Sequence, residues 1–176
     1  MPSSLGLPEA APVKLGGMPT PADRLKDLGL ELPVAPQPMA SYVPTRTVPL
    51  GGGRALVFVA GQVPVVDGQV RHVGRVPDEV GLEEAREAAR VCALNLLAQV
   101  EAAAGLGRVE QVASLSGFVR SSPGFGEQPQ VINAASELLV EVLGEAGRHS
   151  RAAVGVSELP RGVSVEIAAV FVVSQA

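Results

Sequence analysis

The spacing of apolar residues predicts two amphipathic helices. Over residues 82–104 and again over residues 129–143, apolar side chains recur at intervals of three and four residues, which places them on one face of a helix. These positions are Leu82, Ala85, Ala89, Cys92, Leu96 and Val100 in the first segment and Val131, Ala135, Leu138 and Val142 in the second. Charged residues occupy the opposite faces, and glycines directly follow both segments, where helices commonly end.

Strand patterns surround these helices. SYVPTRTVPL, from residue 41, predicts an edge strand, because its prolines cannot donate hydrogen bonds to a neighbouring strand. RALVFVAGQVPVVDGQVRHVG predicts two strands that turn at Asp67 and Gly68, since Asp-Gly between apolar runs is a strong hairpin signal. VEQVASLSGFVR predicts a strand between the helices. Residues 149–173, HSRAAVGVSELPRGVSVEIAAVFVV, predict a closing hairpin.

The order of these elements predicts an α+β fold with two helices packed on one face of a sheet. The inward face of the last strand is apolar: Val163, Val165, Ile167, Phe171 and Val173. Its other face, with Ala168, Val170 and Val172, is also too apolar to face water. Because two helices cannot cover both faces, we expect a second copy of the chain to cover the outer one, giving a homo-oligomer.

The N-terminal segment differs from the rest. Residues 1–38 are rich in proline and have no sustained periodicity beyond a helical turn near residues 22–28. We therefore divide the chain into a partly disordered arm, 1–38, and one folded domain, 39–176. The chain has neither the start of a secretory signal nor an apolar run long enough to span a membrane, so we expect a cytoplasmic protein without a membrane partner.

Composition narrows the classes of ligand. The 176 residues carry a net charge of −4, have no tryptophan and are only 3% aromatic. Nucleic-acid binding needs clustered basic residues and often stacking aromatics, so this composition argues against a nucleic-acid partner. A small molecule is the favoured ligand.

Most chemically capable residues have structural explanations. Cys92, the only cysteine, lies on the apolar side of the first helix and is expected to fill the core. His149 and Ser150 are neighbours on a predicted strand and would point to opposite sides, and His72 lies beside a hairpin turn. With two histidines and one cysteine, we expect no metal site.

Arg151 and Glu166 are less easily explained, because both lie in the apolar C-terminal stretch. One interpretation is a salt bridge at an oligomer interface. The other is a small pocket at that interface, in which the arginine holds a carboxylate and the glutamate positions water or a proton. The residues by themselves leave both interpretations open.

The C-terminal stretch, together with VFVAGQVPV, VCALNLLAQV, SGFVRSSPGF and QVINAASELL, resembles the reactive intermediate deaminases, also called the YjgF or L-PSP family. The resemblance covers residues 40–174. It implies a chorismate-mutase-like α+β subunit with a mixed sheet, and a homotrimer whose sheets enclose a central barrel with pockets between subunits.

The resemblance also implies roles for four residues. Arg151, in RAAVGV, would bind the carboxylate of a 2-imino acid, and Glu166, in VEIA, would help to hold the attacking water. Tyr42 would line the pocket and bind substrate, and so would Asn133, in VINAAS, which matches an asparagine of the second helix. Packing at an edge strand is an equally good explanation for Tyr42, and a helix-surface amide is the simpler one for Asn133.

The implied reaction is hydrolysis of an enamine or imine to a 2-keto acid and ammonia, without metal or organic cofactor. The chain departs from the family pattern at Ala153 and Gly155, where the family has a cysteine and a glutamate. The alternative is therefore a non-catalytic trimer that binds small carboxylate metabolites for regulation. Ribonuclease activity, reported under the family's older name, conflicts with the acidic composition and ranks last.

Overall fold

The fold, seen in a computed structural model that describes residues 18–38 and 41–175, contains three α-helices and seven β-strands in that part of the chain. The helices are α1 (Pro21–Asp27), α2 (Leu82–Ala103) and α3 (Gln128–Leu143). The strands are β1 (Thr45–Gly51), β2 (Arg54–Gln62), β3 (Val65–Val66), β4 (Gln69–Val70), β5 (Val109–Arg120), β6 (Ser150–Val156) and β7 (Val165–Ser174). The two predicted amphipathic helices are confirmed as α2 and α3.

The main sheet has five strands in the order β1-β2-β7-β5-β6. It is mixed, because β5 and β6 are parallel while the other pairs are antiparallel. β1 is an edge strand, as its prolines predict. Asp67 and Gly68 turn between the two short strands β3 and β4, and both have the positive φ that a tight hairpin turn requires.

The predicted closing hairpin is wrong, because β5 lies between β6 and β7. β5 continues through α3 into β6, and a helical connection of this kind joins parallel strands. β7 instead takes the centre of the sheet between β2 and β5. This position suits the alternating burial along β7, in which every second side chain is buried.

The core lies between one face of the sheet and the helices α2 and α3, as the pattern of elements predicts. Its largest fully buried side chains include Leu96 and Leu97 of α2, Ile132, Leu138 and Leu139 of α3, and Leu115, Ile167 and Phe171 of the sheet. Cys92 is buried in the same core, and burial raises the pKa of its thiol well above the ordinary value. A thiol held protonated in this way fills space and is a poor nucleophile.

The opposite face of the sheet remains exposed among the described residues and is largely apolar. Strand pairing places Leu56, Phe58, Phe118, Val154, Val170 and Val172 on this open face. Phe58 and Val154 are 43% and 45% exposed. This is the face for which the sequence predicts a covering copy of the chain.

Part of the N-terminal arm packs on the domain. A capping box between Thr20 and Asp23 starts α1, and Leu25 of this helix is buried. Further along, the Gln99 side chain donates a hydrogen bond to the Pro36 carbonyl at 2.6 Å. The predicted helical turn is therefore present, whereas residues 1–17 of the arm lie outside the described part. None of the described helices is long and apolar enough to cross a membrane.

Candidate functional site

Arg151 is the second residue of the edge strand β6 and points towards α3. It pairs with Leu115, whose side chain is buried under the helices, so both side chains lie on the helix face of the sheet. The Arg151 guanidinium donates three hydrogen bonds to α3. Its Nη1 reaches Ser136 Oγ at 2.9 Å, and its Nη2 reaches the Pro129 carbonyl at 3.1 Å and Asn133 Oδ1 at 2.6 Å.

Helix geometry explains why α3 can hold the guanidinium at three points. Pro129, Asn133 and Ser136 are spaced by four and then three residues, which puts them in one row along the helix. This row faces β6, while the neighbouring face of α3 carries the buried side chains. Three of the five N–H groups of the guanidinium thus have partners in the described part of the chain, and two are left for a ligand.

His149 extends this network. Its Nδ1 lies 2.6 Å from the Gly147 carbonyl, and its Nε2 lies 2.9 Å from Ser136 Oγ. The histidine therefore contacts the serine of α3 rather than Ser150, its sequence neighbour, whose hydroxyl donates to the Ala113 carbonyl.

Glu166, in contrast to Arg151, lies on the open face of the sheet. It pairs with Phe118 of β5, and on its other side β2 has a bulge between Val59 and Gln62. A Cβ atom on Gly61, within this bulge, would lie 2.0 Å from Glu166 Oε1, so the glycine provides the space that the carboxyl occupies. Burial raises the pKa of the Glu166 carboxyl, and no described residue gives it a hydrogen bond or an ion pair.

Tyr42 lies near the same corner. It lines a small pocket together with Gly61, Gln62, Pro36 and Pro44, and the residue is 44% exposed. Tyr42 and Glu166 thus approach Gly61, which lines this pocket and contacts the carboxyl.

One copy of the chain does not bring Arg151 and Glu166 together. They lie on opposite faces of the sheet, two strands apart, about 10 Å across the sheet and about 10 Å along it by strand geometry. The prediction that Arg151 and Glu166 lie on neighbouring strands is therefore wrong, because β5 lies between their two strands. A salt bridge between them within one described chain is excluded by the same separation.

The two departures from the family pattern also face α3. Ala153 packs against the core, and the space beside Gly155 is filled by polar groups. A Cβ atom at Gly155 would lie 2.7 Å from Gln128 Nε2 and 3.0 Å from Ser121 Oγ. A larger side chain at position 155 would therefore require the Gln128 amide to move.

Sequence reasoning missed Ser136, His149 and Gln128. The row of residues on α3 could have been found from helix spacing, but only the parallel pairing of β6 shows that this row faces Arg151. Among residues 18–38 and 41–175, no group of three or more His, Cys, Asp and Glu side chains is arranged to hold a metal ion.

Comparison with known proteins places this chain in a family. The family model described as "YjgF/chorismate_mutase-like, putative endoribonuclease" matches residues 22–171. Protein TCP17 of Trypanosoma cruzi is 43% identical over 148 residues, which cover 83% of this chain and 89% of that protein.

Solved structures show the same fold. The protein Atu1372 of Agrobacterium tumefaciens, of unknown function, is 46% identical with a TM-score of 0.76, over 86% of this chain and 91% of that one. TdcF of E. coli, solved with bound serine, is 25% identical with a TM-score of 0.57, over 81% of this chain and 94% of that one. These matches confirm the resemblance that the sequence motifs indicated, and the chain belongs to the YjgF/chorismate mutase-like family.

Proposed function

We propose that the protein hydrolyses imines and enamines of 2-amino acids in a pocket between two copies of the chain. Arg151 of one copy would bind the substrate carboxylate, and Glu166 of the next copy, with Tyr42 near it, would handle the water. The observation that carries this proposal is the Glu166 carboxyl, which is half-buried, has a raised pKa and lacks a partner in the described chain. Perturbed, unpaired carboxyls of this kind are common at functional sites.

The two groups suit the reaction. The carboxylate of a 2-imino acid would accept the free N–H donors of Arg151, whose guanidinium is already oriented by α3. Water would then attack the imine carbon while the Glu166 carboxylate takes one of its protons. The Glu166 carboxyl then returns this proton to the nitrogen of the carbinolamine. As the C–N bond breaks, the hydroxyl oxygen forms C=O and releases its proton to solvent, and a 2-keto acid and ammonia leave. The steps exchange C=N for C=O with one water and no change of oxidation state.

A homotrimer with a central barrel would bring Arg151 of one copy close to Glu166 of another. The open face of the sheet is apolar, and Glu166 lies on it, so burying this face against another copy would enclose the carboxyl further. A head-to-tail ring of three copies would repeat the same contact three times and close it. Each pocket would then combine the helix side of one copy with the open face of another.

Binding without catalysis is the second candidate. TdcF was solved with bound serine, an amino acid whose carboxylate resembles that of the proposed substrate. Under this alternative Arg151 keeps its role, but no bond is broken. An endoribonuclease function is less well supported, because the chain is acidic and poor in aromatic residues.

The test is the decay of 2-iminopropionate and 2-iminobutyrate, generated in situ from amino acids. Wild-type protein is expected to accelerate decay over buffer and to release keto acid and ammonia in equal amounts. Binding of the keto acid without acceleration would reject hydrolysis of these substrates and support the binding alternative.

Gly61→Ala is expected to lower the rate of imine hydrolysis roughly tenfold or more, because the new methyl group would displace the Glu166 carboxyl from its position. The carboxyl can rotate away, so the free energy of unfolding should change little. Gly107→Ala is the matched control, since a Cβ at Gly107 would meet no described atom within 4 Å apart from its chain neighbours. Equal rates for both variants would show that the position of Glu166 next to Gly61 does not matter for turnover.

A further inference from the structure

Gly147, His149, Ser136 and Arg151 form a continuous hydrogen-bond chain whose direction can be assigned. The Gly147 carbonyl can only accept, so His149 Nδ1, at 2.6 Å, must carry the proton. In a neutral imidazole Nε2 then has a lone pair, and the Ser136 hydroxyl, at 2.9 Å, donates to it. With its proton committed to His149, Ser136 Oγ accepts from Arg151 Nη1 at 2.9 Å.

This direction matters for Arg151. A serine inside a helix can turn its hydroxyl towards the backbone carbonyl of the preceding turn. Here the imidazole fixes the hydroxyl rotor, so that an oxygen lone pair stays available to the guanidinium. The geometry points to Ser136 and His149 as positioning residues that hold Arg151 in place to bind a substrate carboxylate. This inference rests on the carboxylate-binding part of the proposed function.

The Gly147 end of the hydrogen-bond chain is held in place by packing. Gly147 is buried, and a Cβ atom there would lie 2.2 Å from the Leu139 carbonyl oxygen, so the backbone at Gly147 packs directly on α3. The Gly147 carbonyl that orients His149 and the Ser136 hydroxyl that donates to its Nε2 therefore belong to one packed unit. The other two members of the hydrogen-bond chain, His149 and Arg151, lie where the polypeptide enters β6.

Two similar polar substitutions of His149 distinguish a role in positioning Arg151 from a role in packing. His149→Gln keeps an acceptor near the position of Nε2, which can still accept a hydrogen bond from the Ser136 hydroxyl. His149→Asn is shorter and its amide ends near the place of Nδ1. We expect His149→Asn and Ser136→Ala to weaken binding of 2-oxobutyrate, measured by calorimetry, roughly threefold to tenfold, whereas His149→Gln stays within about twofold of wild type.

In the imine assay the same variants should raise KM and leave kcat nearly unchanged, because the groups act through Arg151 and not on the reacting carbon. Chemical denaturation supplies the control for folding. Equal affinity in His149→Gln and His149→Asn, with both variants folded, would overturn the positioning role. Failure of the wild-type protein to bind 2-oxobutyrate would also overturn it, whereas binding without imine turnover rejects only the hydrolysis.

The tautomer of His149 gives a readout that needs no ligand. Nitrogen-15 NMR of the neutral imidazole should show Nδ1 protonated and Nε2 unprotonated. His72 is the only other histidine, so a His72→Gln variant assigns the signals. A predominant Nε2–H tautomer of His149 would break the assigned direction and contradict the inference.

Discussion

Arg151→Ala is expected to abolish the acceleration of imine decay, with kcat/KM falling roughly a hundredfold or more. The variant removes both the charge and the two N–H donors that are free to bind a carboxylate, and charge-assisted hydrogen bonds are the strong ones. The decay of 2-iminobutyrate, followed with increasing protein concentration, measures this loss. Because Arg151 is exposed in the single chain, its removal should cost little folding free energy.

Arg148→Ala is the matched control. Arg148 lies three residues earlier in the same segment, and its 69% exposed side chain pairs only with nearby Glu145 in the described chain. It should turn over imines like wild type. Arg151→Lys should lose most of the activity, since an ammonium cannot bond to the three α3 acceptors and to a carboxylate together. Similar activity in Arg151→Ala and wild type would show that Arg151 is not part of the active site.

Mixing two inactive variants is expected to restore activity. Arg151→Ala and Glu166→Gln each lack one half of the proposed site. When they are unfolded together in equal amounts and refolded, about a quarter of the pockets in a head-to-tail ring should combine an intact Arg151 with an intact Glu166 from the next copy. The rate of imine decay should therefore recover to about a quarter of that of refolded wild type.

The physical reason for this expectation is the separation of the two residues in one chain. They lie on opposite faces of the sheet with β5 between their strands, so one copy cannot hold a small substrate between them. Refolded wild type alone controls for losses during refolding. If the mixture stays inactive although mixed assemblies form, Arg151 and Glu166 do not serve the same pocket from different copies.

The sequence alone determined the secondary structure around the site. The period of α2 and α3 follows from apolar spacing, and burial in the structure matches it at Ala85, Leu96, Ala135 and Leu138. The apolar character of both faces of β7 is also a property of the sequence. Local signals such as Asp67-Gly68 and the prolines of β1 worked because they act through backbone preferences of adjacent residues.

The sequence also singled out Arg151 and Glu166 as charges in an apolar stretch, but it placed them wrongly on neighbouring strands. Strand order depends on which strands meet across the sheet, and no local pattern distinguishes an antiparallel hairpin partner from a strand that returns through a helix. The α3 connection favours a parallel β5–β6 pair, whereas the short loop between β6 and β7 favours a hairpin, and the sequence contains both signals.

Tertiary structure decided which groups surround each charge. Ser136 and Asn133 reach Arg151 because a parallel β6 brings one row of α3 against the strand, and Gly61 makes room for Glu166 because β2 bulges beside β7. These contacts join residues distant in the chain, and their energies come from burial and hydrogen-bond geometry, which depend on the folded arrangement. The sequence thus supplied the elements and the charged residues, while packing between elements determined that Arg151 is oriented by a helix and that Glu166 has no partner among the described residues.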